Sequence, residues 1–129
     1  MPNNGKMSSK DLGNFGERTA NDFLKKGKYK ILEKNFKRKW GEIDIVGKKK
    51  NKIIFFEVKT IIENKNFFPE DQITAKKKKQ LLKMSQIYLS EKKLPFNTPR
   101  QIDIIAIEVS PKNEVMEIRH HKNAIEDIH

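Results

Sequence analysis

The sequence predicts an α/β domain whose elements run helix, three strands, helix, two strands. Two stretches, 11–27 and 74–91, carry apolar residues at three- and four-residue spacing, the period of a helix with one buried face. Short runs rich in Ile, Val and Phe, bounded by Gly, Pro, Asn and Lys, mark five strands. The length of 129 residues fits one domain, and eight Phe, one Trp and many Ile and Leu supply a modest core.

Residues 1–10 are polar and read as a flexible leader, which leaves 11–129 as the folded domain. The first helix begins at Asp11, repeats through Leu12, Phe15, Thr19, Ala20, Phe23 and Leu24, and stops at Gly27. Tyr29–Phe36 is a short strand, and Lys37–Lys39 a basic turn. Gly41–Val46 is the second strand, joined by a hairpin-like turn at Lys48–Asn51 to the strongest strand of the chain, Lys52–Thr60. A polar loop with Asn64, Asn66 and Pro69 follows, and Thr74 is placed to cap a helix reaching Glu91 on the line Ile73, Leu81, Met84, Tyr88 and Leu89. Pro95 and Pro99 break the chain before a strand over Gln101–Val109, and Pro111–Asn113 turns it into a last strand, Val115–Arg119.

Charge narrows the partner. Lys and Arg number 28 against 17 Asp and Glu, a net charge of +11. A small domain this basic repels itself when compact, and a polyanion relieves that repulsion. Nucleic acid is the first expectation and an acidic membrane surface the second, with lysine enrichment from a biased genome or hot growth as the plainer explanation. The absence of Cys excludes disulfides and thiolate metal sites. With no bilayer-length apolar run and no secretory-type leader, a cytoplasmic protein that spans no membrane is expected.

Chemistry enters on the second and third strands. Side chains alternate faces along a strand, so Ile53, Phe55, Glu57 and Lys59 share one face, and Ile54, Phe56, Val58 and Thr60 the other. Both faces begin strongly apolar, which marks a central strand, so the carboxylate and ammonium at its end emerge from a dry element. Asp44 repeats the oddity between Ile43 and Ile45. Hairpin pairing about the turn near residue 50 sets position 44 opposite 56 or 57. Two carboxylates that close repel unless a proton or a divalent cation sits between them. Hard oxygen donors without thiolates or paired histidines favour Mg²⁺ or Mn²⁺. Lys59 would hold a phosphate or a water nucleophile. The plainer alternative is a surface ladder in which Lys59 bridges Glu57 and Asp44.

Asp44, then Glu57, then Lys59 resembles the PD-(D/E)xK signature of restriction-endonuclease-like nucleases. The wider pattern is more specific. Gly13-Asn14-Phe15-Gly16-Glu17 with Ala20 and Leu24, Gly41-Glu42-Ile43-Asp44-Ile45-Val46, and Phe55-Phe56-Glu57-Val58-Lys59-Thr60 resemble the YraN-type family, itself similar to archaeal-type Holliday-junction resolvases. The likeness runs from Gly13 to Ala124. It implies a restriction-endonuclease-like core, helix-strand-strand-strand-helix-strand with a mixed central sheet. It also implies a metal-dependent endonuclease on structured or branched DNA, with a catalytically silent nucleic-acid-binding module as the alternative, and a possible homodimer. Asp44 and Glu57 would ligate the metal with the Val58 carbonyl, Glu17 would reach a metal-bound water, and Lys59 would stabilise the attacked phosphate. Lys77, with Lys76 beside it, would contact the nucleic-acid backbone. The chain departs from the family at Ile61 and Gln101, where arginine is frequent, which weakens the case for a phosphate clamp there; Arg100, displaced by one position, is expected among the nucleic-acid-binding residues.

Other residues read more plainly. Glu42 shares the face of Asp44 and is expected to be exposed. His120 and His121 face opposite ways and make no metal site. Trp40 reads first as packing at a hairpin edge and second as a stack for a base. Asp103 is either a further acid near the site or a satisfied strand residue.

Overall fold

The computed structural model describes residues 7–64, 66 and 68–125. Its elements are α1 (Ser9–Lys26), β1 (Lys30–Arg38), β2 (Gly41–Lys49), β3 (Lys52–Ile62), a 3₁₀ turn (Pro69–Gln72), α2 (Ala75–Glu91), β4 (Arg100–Val109) and β5 (Val115–His121). Helix α1 starts two residues earlier than the periodicity indicates because Ser8 caps it, its hydroxyl accepting the Asp11 N–H at 3.1 Å. Residues 9 and 10 are therefore helical, whereas residues 1–6 of the expected leader lie outside the described residues. Gly27 ends α1 as expected. Thr74 caps α2 by accepting the Lys77 N–H at 3.1 Å, and α2 ends at Glu91. Ile73 stands before the helix rather than on its buried line.

The five strands form one sheet in the order β1-β2-β3-β4-β5, so the apolar β3 is central. Neighbours are antiparallel except β3 and β4, which run parallel because α2 carries the chain back between them. The arrangement is the mixed-sheet, restriction-endonuclease-like core that the motifs imply.

The alternation along β3 sorts the core into two layers. Ile53 and Phe55 join Phe36, Ile43, Val46 and Ile102 under Leu81, Met84, Tyr88 and Leu89 of α2. Tyr88 meets Phe36 and Phe55 edge-on, at 5.2 and 5.5 Å between ring centres. Ile54 and Phe56 face the other way, with Ile45, Ile105 and Ile107, under Ala20 and Leu24 of α1. The sheet is thus covered on both faces. α1 sits unusually close at one point: a Cβ on Gly16 would lie 1.8 Å from Thr60 Oγ1 of β3. Only a residue without a side chain permits that approach, and Glu17 follows it directly.

Asp103 is a satisfied strand residue. Fully buried, it accepts from Gln101 Nε2 and the Asn123 N–H, both at 2.8 Å, and lies 2.7 Å from His120 Nε2. With the Ala124 N–H bonded to the Ile102 carbonyl, this network ties the closing Asn123-Ala124 to β4.

Candidate active site

The site forms where β2 and β3 part. Their pairing ends at Ile45 opposite Phe56. β2 nevertheless continues against β1 to Gly41, and β3 continues against β4 to Ile62. Asp44 and Glu57 are the first residues beyond the last pair, each 7 % exposed. The Val58 N–H bonds to Asp44 Oδ2 at 2.8 Å, so a side chain takes the place of a ladder carbonyl.

Glu57 is only partly compensated. Its Oε2 lies 3.4 Å from Lys77 Nζ of α2, while its Oε1 is buried without a hydrogen-bond partner among the described residues. Burial first, and then the neighbouring Asp44 carboxylate, push the Glu57 acid up to about 8. Burial also raises Asp44, against the opposing pull of the Val58 N–H. Glu17, half-buried on α1, is pushed up to about 7 by burial, by Asp44 and by Glu42. Glu42 is half-buried rather than exposed, and its charge raises both Glu17 and Asp44. Four carboxylates thus gather at one end of the sheet, with Lys77 as the ammonium close to them among the described residues.

Lys77 stands inside the site, facing Glu57 and donating to Gln80 Oε1 at 3.2 Å. Lys59 makes no ion pair among the described residues, so the ladder through Lys59 does not form. Instead, Lys59 and Glu17 line one open cleft of about 400 Å³ with Val58 and Thr60. Lys76 is exposed on the first turn of α2. Arg100 lies elsewhere. It pairs in register with Ile53, four residues down β3 from Glu57, about 13 Å at strand rise. Its Nη1 donates to the Phe96 and Thr98 carbonyls at 2.7 and 3.3 Å. The fold therefore brings together Glu17, Asp44, Glu57, Val58, Lys59 and Lys77 and leaves Arg100 at the opposite end.

The donor set fits a hard divalent cation: buried carboxylates, no thiols, and an unpartnered Glu57 oxygen. Among the described residues no three His, Cys, Asp or Glu side chains converge closely enough to hold a metal, so Glu17 does not complete a preformed cage with Asp44 and Glu57. His120 and His121 turn to opposite partners, Asp103 and Glu70. Among the described residues no helix is long and apolar enough to cross a membrane.

Comparison with known proteins agrees with the motifs. The model of the Uncharacterised protein family UPF0102 matches residues 16–107. A UPF0102 protein of Caldicellulosiruptor saccharolyticus is 39% identical over 118 residues, covering 92% of this chain and 99% of that protein. One of Caldanaerobacter subterraneus subsp. tengcongensis is 38% identical over 120 residues, covering 92% and 98%. One of Clostridium botulinum (strain Kyoto / Type A2) is 38% identical over 118 residues, covering 92% and 96%. The chain, with its motifs on α1, β2 and β3, belongs to the UPF0102 family, the YraN-type family that those motifs resemble.

Proposed function

We propose that this protein is a metal-dependent endonuclease that hydrolyses phosphodiester bonds in structured or branched DNA. One observation carries the reading: two carboxyl groups, Asp44 and Glu57, are buried side by side, with one Glu57 oxygen left without a hydrogen-bond partner among the described residues. A fold selected for stability alone would replace them with apolar groups. Asp44 and Glu57, with the Val58 carbonyl, would hold Mg²⁺ or Mn²⁺, which when bound supplies a water of lowered pKa and offsets charge on the phosphate. Glu17, poised near neutrality, would take the proton of the attacking water as its oxygen bonds to phosphorus and the P–O bond to the departing strand breaks, the electron pair leaving on that strand's oxygen. Lys59, at the cleft edge with no ion pair among the described residues, faces the charge developing on the phosphate. Lys76 and the rest of the lysine excess bind the backbone, and a homodimer would present two sites to a branched substrate.

The Lys77–Glu57 contact supports a second reading, a catalytically silent nucleic-acid-binding module, because an ammonium can compensate Glu57 without a metal. A cleavage panel of branched, single-stranded and duplex DNA with Mg²⁺ and Mn²⁺ decides between them. Asp44→Ala and Lys59→Ala are each expected to lose at least about a hundredfold in rate. Binding should survive in both, with a salt slope of about −4 to −5 in log K against log salt if roughly five phosphates are neutralised. A wild type that binds with that slope and cleaves nothing leaves the silent module; a flat slope removes both.

A further inference from the structure

The turn between β1 and β2 presents an aromatic surface that folding leaves uncovered. Trp40 is 49 % exposed, so the hairpin edge does not bury it. Two cations lie near its ring, with Lys83 Nζ 5.0 Å and Lys39 Nζ 5.8 Å from its centre. The backbone beneath it is held firmly. Gln80 Nε2 of α2 donates to the Trp40 carbonyl at 2.8 Å. Gly41 makes this possible, since at φ +149° a Cβ would lie 2.5 Å from Gln80 Cδ.

The same Gln80 accepts from Lys77, and Lys77 faces Glu57. Trp40 is therefore linked to the carboxylate site through two side chains of one helical turn. An open groove of about 420 Å³ is lined by Trp40 and Arg38 together with Glu42 and Lys77. An exposed indole beside a lysine-lined groove is complementary to a nucleotide, with an apolar face for a base and cations for its phosphate.

Resting on the nuclease reading above, we propose that Trp40 is a stacking platform for an unpaired DNA base, whose phosphate lies in the groove leading to Lys77 and the carboxylates. A base inside an intact duplex has no free face to offer. The site would therefore favour substrates with an unstacked nucleotide at a junction, gap or end over continuous duplex.

Trp40 is the only tryptophan of the chain, so its fluorescence reports on this surface alone. Titration with a single-stranded oligonucleotide or a gapped duplex should quench it, whereas heparin, a polyanion without bases, should not. Trp40→Ala should bind the single-stranded and gapped DNAs about 5- to 100-fold more weakly, with little change on a blunt duplex, the range expected for one base on one ring. Trp40→Phe should keep most of the affinity, which separates loss of stacking from damage to the hairpin. Heparin quenching equal to that of DNA, or Trp40→Ala binding every DNA as the wild type does, would overturn the proposal while duplex binding left the nuclease reading standing. A wild type that binds no DNA at all would remove both.

Discussion

Replacing Glu57 with glutamine should make the metal-free protein more stable at neutral pH. The Glu57 carboxyl is buried beside Asp44, with Lys77 the one close cation among the described residues, and titrates at about 8 instead of 4.5. Its folded-state pKa is raised, so its stabilising contribution is fully present below about 4.5 and is lost as pH rises through about 8. At pH 7 the unfolded group sits 2.5 units above its pKa of 4.5 and is ionised, while the folded group still holds its proton most of the time. At about 1.4 kcal/mol per unit, the cost of the acid is at most about 3 kcal/mol. Glutamine avoids that cost but gives up the Lys77 ion pair, so a net gain of about 1–3 kcal/mol is expected. For a chain of this size that raises Tm by roughly 3–10 °C. Urea unfolding and thermal melts of wild type and Glu57→Gln at pH 5 and pH 8, without divalent ions, measure it. The gain should be small at pH 5 and largest at pH 8, and Mg²⁺ should stabilise the wild type only. A variant less stable than wild type at pH 8, or a difference independent of pH, would refute the reasoning.

Two further predictions test how the site is supported. Arg119 binds Glu70 through two hydrogen bonds of 2.7 and 2.8 Å and also reaches Glu108 at 2.6 Å and Glu117 at 2.7 Å. Arg119→Ala strands these carboxylates together and should cost about 1–3 kcal/mol in urea unfolding, less than a fully buried pair because the cluster meets solvent. The Arg119 hydrogen bonds are also the main cause holding Glu70 down at about 2. That stability is present above pH 4.5 and lost as pH falls towards 2, so acid should narrow the gap between wild type and Arg119→Ala. Gly16→Ala places a methyl against Thr60 and should cost about 1–3 kcal/mol; adding Thr60→Ala should restore part of it, as a double-mutant cycle would show.

Local pattern carried most of the architecture. Helical spacing placed α1 and α2, the cap at Thr74 and the stop at Gly27 fell where their chemistry requires, and the apolar run of β3 announced a strand buried on both faces. These signals are legible because each depends on residues within a turn or two of one another. Asp44 and Glu57 were legible for a related reason: carboxylates among isoleucines and phenylalanines contradict their surroundings, and a short hairpin fixes their registry to within a residue. What crosses between elements was not written in any local period. Lys77 reads as one of four consecutive lysines, and only the packing of α2 over the sheet turns it, rather than Lys59, towards Glu57. Arg100 sits one residue from a familiar position, yet its place in β4 puts it at the far end of the sheet, bonded to its own loop. Gly16 and Gly41 look alike in sequence; tertiary contact alone shows that one makes room for Thr60 and the other for Gln80. The sequence by itself determined the elements, the core faces and the carboxylate pair. The tertiary structure decided which cation meets them and which aromatic ring is left open beside them, because those choices depend on the distance between helix and sheet.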